Sequence, residues 1–197
     1  MKNKLPLFEM DLPEGEEGVF AISIVDVPAI KENFIALREA ERKQYQLAAV
    51  DEEKHLLVGA ALIPDKEIYR VNNETKEEFN IVFRKDVIEK AAHLFLKKGY
   101  QSSATEMHRR KIQGVTTVES WIVENSNKDK AAVYGFDVPN GTWMVAMKVE
   151  NAEIWSRVKS GELRGFSIEA FFADRLIKQK HEQPWHDVLD IIPDLLD

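Results

Sequence analysis

The sequence predicts an α+β domain built on a curled antiparallel β-barrel with a few helices around it. Three observations carry this. Short runs of alternating apolar and polar residues recur along the chain, and turn residues separate most of them. Two segments have helical rather than strand periodicity. Strands joined by short turns pair antiparallel, and the eight or nine expected here favour closure, which removes unpaired edges.

"EEGVFAISIVDVPAI" (16–30) alternates and then stops at Pro28, as a strand entering a turn does. "KENFIALREAERK" (31–43) is compatible with a helix of irregular apolar spacing. "QYQLAAVDEEKHLLVGAALIP" (44–64) reads as strand, acidic turn and strand, closed by Pro64. "EEFNIVFRK" (77–85) is a further short strand. The clearest helix is 86–99, with Asp86 and Glu89 at capping-box spacing and Gly99 as its left-handed stop. Ile88, Ala91, Ala92 and Phe95 form its buried stripe, and His93 lies at the stripe's boundary.

"TEMHRRKI" and "VTTVESWIVE" flank Gln113-Gly114 as a hairpin would, and Pro139-Asn140-Gly141 signals a second hairpin before "TWMVAMKVE". Asn151 caps a short helix that ends at Gly161. "GFSIEAFF" (165–172) is the last strand, with Phe166, Ile168 and Ala170 on one face and Ser167, Glu169 and Phe171 on the other. The expected organisation is an N-terminal extension over 1–15, a domain over 16–175 and a charged, acidic-apolar tail over 176–197. Such a tail suits docking on a partner or on the domain's own groove.

Composition narrows the chemistry. With 44% hydrophobic and 31% charged residues the 197-residue chain reads as an ordinary globular protein. It contains no cysteine, which excludes disulfides, thiol nucleophiles and thiolate metal sites. A net charge of −7 argues against general nucleic-acid binding, and "HRRK" at 108–111 reads as a solvated basic patch. There is no P-loop, G-x-G-x-x-G, H-E-x-x-H or G-x-S-x-G elbow. No apolar run suggests a membrane span or a secretory signal, and no cofactor is expected.

Ser167 stands out, because a strand serine becomes a nucleophile only when a histidine takes its proton and a third group orients that histidine. His108 sits inside an expected strand, and a two-residue loop at Gln113-Gly114 puts Glu119 directly opposite it. A Ser167–His108–Glu119 triad and a set of unrelated surface residues are both compatible with residue types and spacing.

The segments "GVFAISIVDVPAI", "LVGAALIPDKEIYR" and "VPNGTWMVAMKVENAEIWSRVKSGELRGFSIEAFF", with the His108 strand and "TVESWIVE" between the last two, resemble the phage prohead (procapsid maturation) serine proteases. The similarity is strongest to the phage serine protease branch, runs over about residues 16–174, and extends to the wider group that includes the herpesvirus assemblins. The resemblance implies an assemblin-like antiparallel barrel, His108 as general base and Ser167 as nucleophile. Glu119 is the expected acid and Glu169 the alternative. It also implies a serine endopeptidase acting on phage scaffold protein, major capsid protein and portal inside the procapsid, in the host cytoplasm, without a cofactor. Neither nucleic acid nor membrane is an expected partner, and self-association into a homodimer is left open. The competing readings are a catalytically idle capsid-assembly or scaffold protein of the same fold, and a small-molecule esterase.

Overall fold

A computed structural model describes residues 5–12, 15, 18–30, 35–37, 54–72, 75–171 and 173–177. In chain order its strands are β1 (Leu7–Asp11), β2 (Gly18–Val25), β3 (Ile35–Leu37), β4 (Leu56–Leu62), β5 (Ile68–Val71) and β6 (Glu78–Phe83), followed by helix α1 (Lys85–Lys97). Next come a 3-10 turn (Tyr100–Ser102), β7 (Ala104–Glu106), β8 (Arg110–Ile112), β9 (Val115–Ile122) and helix α2 (Lys130–Val133). The chain continues through β10 (Trp143–Val149), helix α3 (Ala152–Lys159), β11 (Gly165–Phe171) and β12 (Ala173–Ile177).

The fold is α+β, but the described strands do not close into a barrel. They form three four-stranded sheets, ordered β12-β1-β6-β5, β3-β4-β10-β9 and β11-β2-β7-β8. Two pairings, β1 with β6 and β2 with β7, are parallel. A parallel pair needs a long crossover rather than a hairpin. The β2–β7 crossover carries α1, whose apolar stripe packs on β2.

The core explains which strands the sequence made most apolar. β10 is buried at every position but Lys148, and β4 at every position but Leu56. Both therefore read as continuous apolar runs rather than clean alternation. Against β10 and β2 lies α1, which buries Val87, Ile88, Ala91, Ala92 and Phe95. Phe95 meets fully buried Trp143 edge-on at 5.5 Å. The helix begins one residue before Asp86, and its N-cap, Arg84, makes no side-chain capping bond. Gly99 turns the chain out at φ 77°, as expected, and His93 is exposed. Asn151 caps α3 by accepting from Ile154 N at 3.1 Å.

Several local expectations give way to tertiary context. The Gln113-Gly114 pair does not close a hairpin. β8 folds back on β7, β9 pairs with β10, and the chain changes sheet at Gly114. Gly114 has φ 71°, its carbonyl accepts from Glu150 N and Asn151 N, and an added Cβ would stand 3.2 Å from Asn151 N. A glycine is needed there for a sheet-to-sheet step, not for a type I′ turn.

The run before Pro139 is not a strand either. Asp129 caps α2 through Ala131 N at 2.7 Å and is itself held by Trp121 Nε1 at 3.0 Å. Ile35–Leu37, expected within a helix, is strand β3, paired with β4. Residues 7–11, expected in an extension, form β1 and pair with both β6 and β12. Leu176 and Ile177, expected to open the tail, complete β12. The strand expected over 44–50 and the tail from 178 lie outside the described residues.

Candidate active site

Across the β11-β2-β7 sheet, register aligns three hydroxyls. Ser167 on β11 opposes Ser23 on β2, and Ser23 opposes Thr105 on β7. Opposed residues share a sheet face. All three are buried. Glu169, two positions along β11 from Ser167, falls on the same face. Its Oε1 accepts a hydrogen bond from Thr105 Oγ1.

His108 does not sit inside a strand. It occupies the three-residue turn Met107-His108-Arg109 that joins β7 to β8, with φ 51° at Met107 and 55° at His108. Such left-handed conformations cost non-glycine residues about 1–3 kcal/mol each and persist only where neighbours fix them. Three hydrogen bonds do so here. Met107 N donates to Ile24 O at 3.1 Å, Arg109 N to Glu106 O at 2.9 Å, and His108 N to Ser23 Oγ at 3.0 Å. Ser23, directly beside Ser167 in register, therefore anchors the backbone of the histidine.

The turn brings His108 Nδ1 to 3.4 Å from Glu169 Oε1. A carboxylate beside Nδ1 favours the tautomer protonated there and leaves Nε2 as the basic nitrogen. The imidazole is 42% exposed and the Glu169 side chain 21%. A contact of this length can tighten in a reacting complex. His108 and Ser167 line one cleft of about 420 Å³. Its other walls are the end of β2 and the turn after it (Val25–Val27 and Ala29), Arg70 of β5, Met107 and Ile168.

Glu119 is not placed beside His108. It lies on β9, opposite Ala146 in another sheet, and its carboxylate pairs with Lys130. Lys130 Nζ also sits 5.1 Å from the Trp121 ring and 5.6 Å from the Tyr134 ring. The expectation of Glu119 opposite His108 depended on a β8–β9 hairpin, which the β7–β8 hairpin replaces. Thr105 and Ser23, not singled out from the sequence, both touch the arrangement. Neither has a local signal, because their roles arise from the parallel β2–β7 register.

An ion-pair cluster around buried Glu106 holds the hairpin that presents His108. Glu106, at the end of β7, accepts from Arg110 Nη2 at 2.7 Å and from Arg157 of α3. Arg157 also donates to Glu162 at 2.7 Å, and Arg110 approaches Glu153 at 3.5 Å. Burial pushes the Glu106 carboxyl upward, but the hydrogen bonds from Arg157 and Arg110 outweigh it and hold the group below the usual carboxylate range. A carboxyl depressed in the folded state contributes stability above its unfolded pKa, about 4.3, and loses it as pH falls through the folded value. Thermal melting followed against pH should therefore show the hairpin's contribution intact at neutrality and fading below about pH 4. Glu106→Gln should cost about 1–3 kcal/mol at pH 7 and converge on the unmodified protein in acid. Parallel melting curves at every pH would show that the cluster carries no such linkage.

A family model described as "Putative phage serine protease XkdF" matches residues 45–176. The chain belongs to this phage serine protease family. Its match begins before β4 and ends within β12, so it takes in His108, Ser167 and Glu169. The YqbD protein of Bacillus subtilis (strain 168) is 27% identical over 164 residues, covering 81% of this chain and 46% of YqbD. The chain thus spans about half the length of the curated relative it matches. No solved structure matches the chain, and none therefore supports an assemblin-like closed barrel.

Proposed function

We propose that this chain is a serine endopeptidase that cleaves scaffold and capsid proteins within an immature phage shell, the step known as prohead maturation. One observation supports it above the rest: Ser167 and His108 line the same cleft while Glu169 stands at His108 Nδ1. Family membership supplies the reaction class.

In this reading His108 Nε2 accepts the Ser167 proton as Oγ attacks a peptide carbonyl carbon. The imidazolium, stabilised by Glu169, then returns that proton to the leaving amine as the C–N bond breaks. Water, deprotonated by the same imidazole, releases the acyl group and restores the serine. Thr105 positions Glu169, and Ser23 positions the backbone of the His108 turn.

The substrates in this reading are the scaffold, the major capsid protein and the portal termini, met inside the procapsid in the host cell. High local concentration within a shell makes modest intrinsic turnover sufficient. Co-expression with the scaffold and capsid proteins of the same phage tests this. The scaffold should shorten on a gel with the unmodified protein and stay full length with Ser167→Ala. Scaffold that stays full length in closed procapsids containing the unmodified protein would favour an idle assembly role for the fold.

A further inference from the structure

The cleft contains a charge that the peptide-cleaving chemistry does not use. Arg70 projects from β5, at the edge of a different sheet from Ser167, and lines the cleft beside His108 and Ser167. Three other arginines of the described residues are matched with carboxylates: Arg84 with Glu9 and Asp65, Arg110 with Glu106 and Glu153, and Arg157 with Glu106 and Glu162.

Arg70 is different. Among the described residues it makes no ion pair, and its one hydrogen bond runs from Nη1 to the neighbouring Tyr69 carbonyl at 2.9 Å. Most of the planar fork of donors is left uncommitted. The side chain is half-buried, and burial pushes its pKa down with no carboxylate to oppose it. A guanidinium does not shed its proton to escape that cost, so an anion seated against it would offset the desolvation. Asp26, the acid of the same cleft wall, is exposed and turns Oδ1 to its neighbour's Val27 N at 2.7 Å.

We propose that Arg70 is a specificity determinant that receives the carboxylate of a substrate Asp or Glu close to the scissile bond. The assignment rests on the peptidase reading of the cleft and adds the substrate class to it. A planar fork matches a carboxylate with two parallel N–H···O bonds, which lysine cannot reproduce. A neutral isostere of the same shape, Gln, would leave the half-buried guanidinium without a counter-charge. Discrimination of Glu over Gln by about 10- to 100-fold follows from one charge-assisted contact of this kind.

The test separates binding from cleavage. Fluorescein-labelled peptide pools, amidated at the C-terminus and randomised except for a central Glu or Gln, are titrated against the full-length Ser167→Ala chain. The Glu pool should bind about 10-fold or more tighter. The preference should fall to about one with Arg70→Gln added, and survive in part with Arg70→Lys. Circular dichroism of each variant establishes that the fold is retained. Equal binding of the two pools, or a Glu preference unchanged by Arg70→Gln, overturns the assignment.

The unmodified protein is then assayed for cleavage of the same pools. Glu-selective, Arg70-dependent binding without any cleavage would overturn the peptidase reading and leave the Arg70 receptor standing. Ser167-dependent cleavage indifferent to Glu or Gln would do the reverse.

Discussion

Ser167→Ala is expected to reduce peptide cleavage by about four to six orders of magnitude while leaving the fold intact, as loss of an activated nucleophile does. The side chain is buried yet lines the cleft, and among the described residues its hydroxyl has no hydrogen-bond partner. Removing one oxygen there should change stability by less than about 1 kcal/mol. His108→Ala should be equally damaging, and the double variant little worse than either, because members of such a set act as a unit. Ser23→Ala supplies the internal control. Ser23 is opposite Ser167 in register, but it is completely buried and its oxygen already accepts from His108 N. Its loss should loosen the His108 turn and lower turnover by roughly 10-fold, without removing the nucleophile. Rates on a peptide substrate, with melting temperatures alongside, decide the matter. Processing undiminished by Ser167→Ala, or abolished by Ser23→Ala instead, would remove Ser167 from the mechanism.

The two halves of this site differ in how far they could be read from sequence. β11 obeys a local rule. Its period of two placed Ser167 and Glu169 on one face, and register against β2 does the same. The bulge in the pairing comes only after Glu169, so it does not disturb that relation. α1, α3, β4 and β6 were legible for the same reason, since their apolar spacing and stop residues act over a few neighbours.

The histidine half obeys no local rule. "EMHRRK" contains no glycine, asparagine or proline to announce a turn, and two consecutive non-glycine residues take positive φ. Contacts from β2, with Ser23 lying 85 residues before His108, stabilise that turn. Gln113-Gly114, by contrast, has the local look of a hairpin, yet its glycine serves the close approach to Glu150 and Asn151. The same non-local pairing explains the sheets. Parallel β1–β6 and β2–β7 ladders join segments far apart in the chain, and nothing in the composition of either strand states its partner.

That difference makes the identity of the acid the sharpest remaining experiment. Glu169→Gln is expected to lower kcat by about two to four orders of magnitude, the range seen when a base loses the carboxylate that orients it. The amide keeps the shape of the side chain. However, it no longer stabilises an imidazolium, and its NH2 group can donate to Nδ1 and select the wrong tautomer. Glu119→Gln should change the rate little, because Glu119 is engaged with Lys130 on another sheet. Thr105→Val, which removes the donor holding Glu169, should fall between them at roughly 10-fold.

A second readout separates orientation from mere damage to packing. Loss of the orienting carboxylate should lower kcat and leave KM nearly unchanged, because Glu169 stands at His108 and not against the substrate. The circular dichroism and melting temperature of Glu169→Gln should match those of the unmodified protein. A structural lesion would instead lower the melting temperature along with the rate. Glu119→Gln as the damaging change, with Glu169→Gln near normal, would mean that the β7–β8 turn does not present His108 to β11 in the working enzyme.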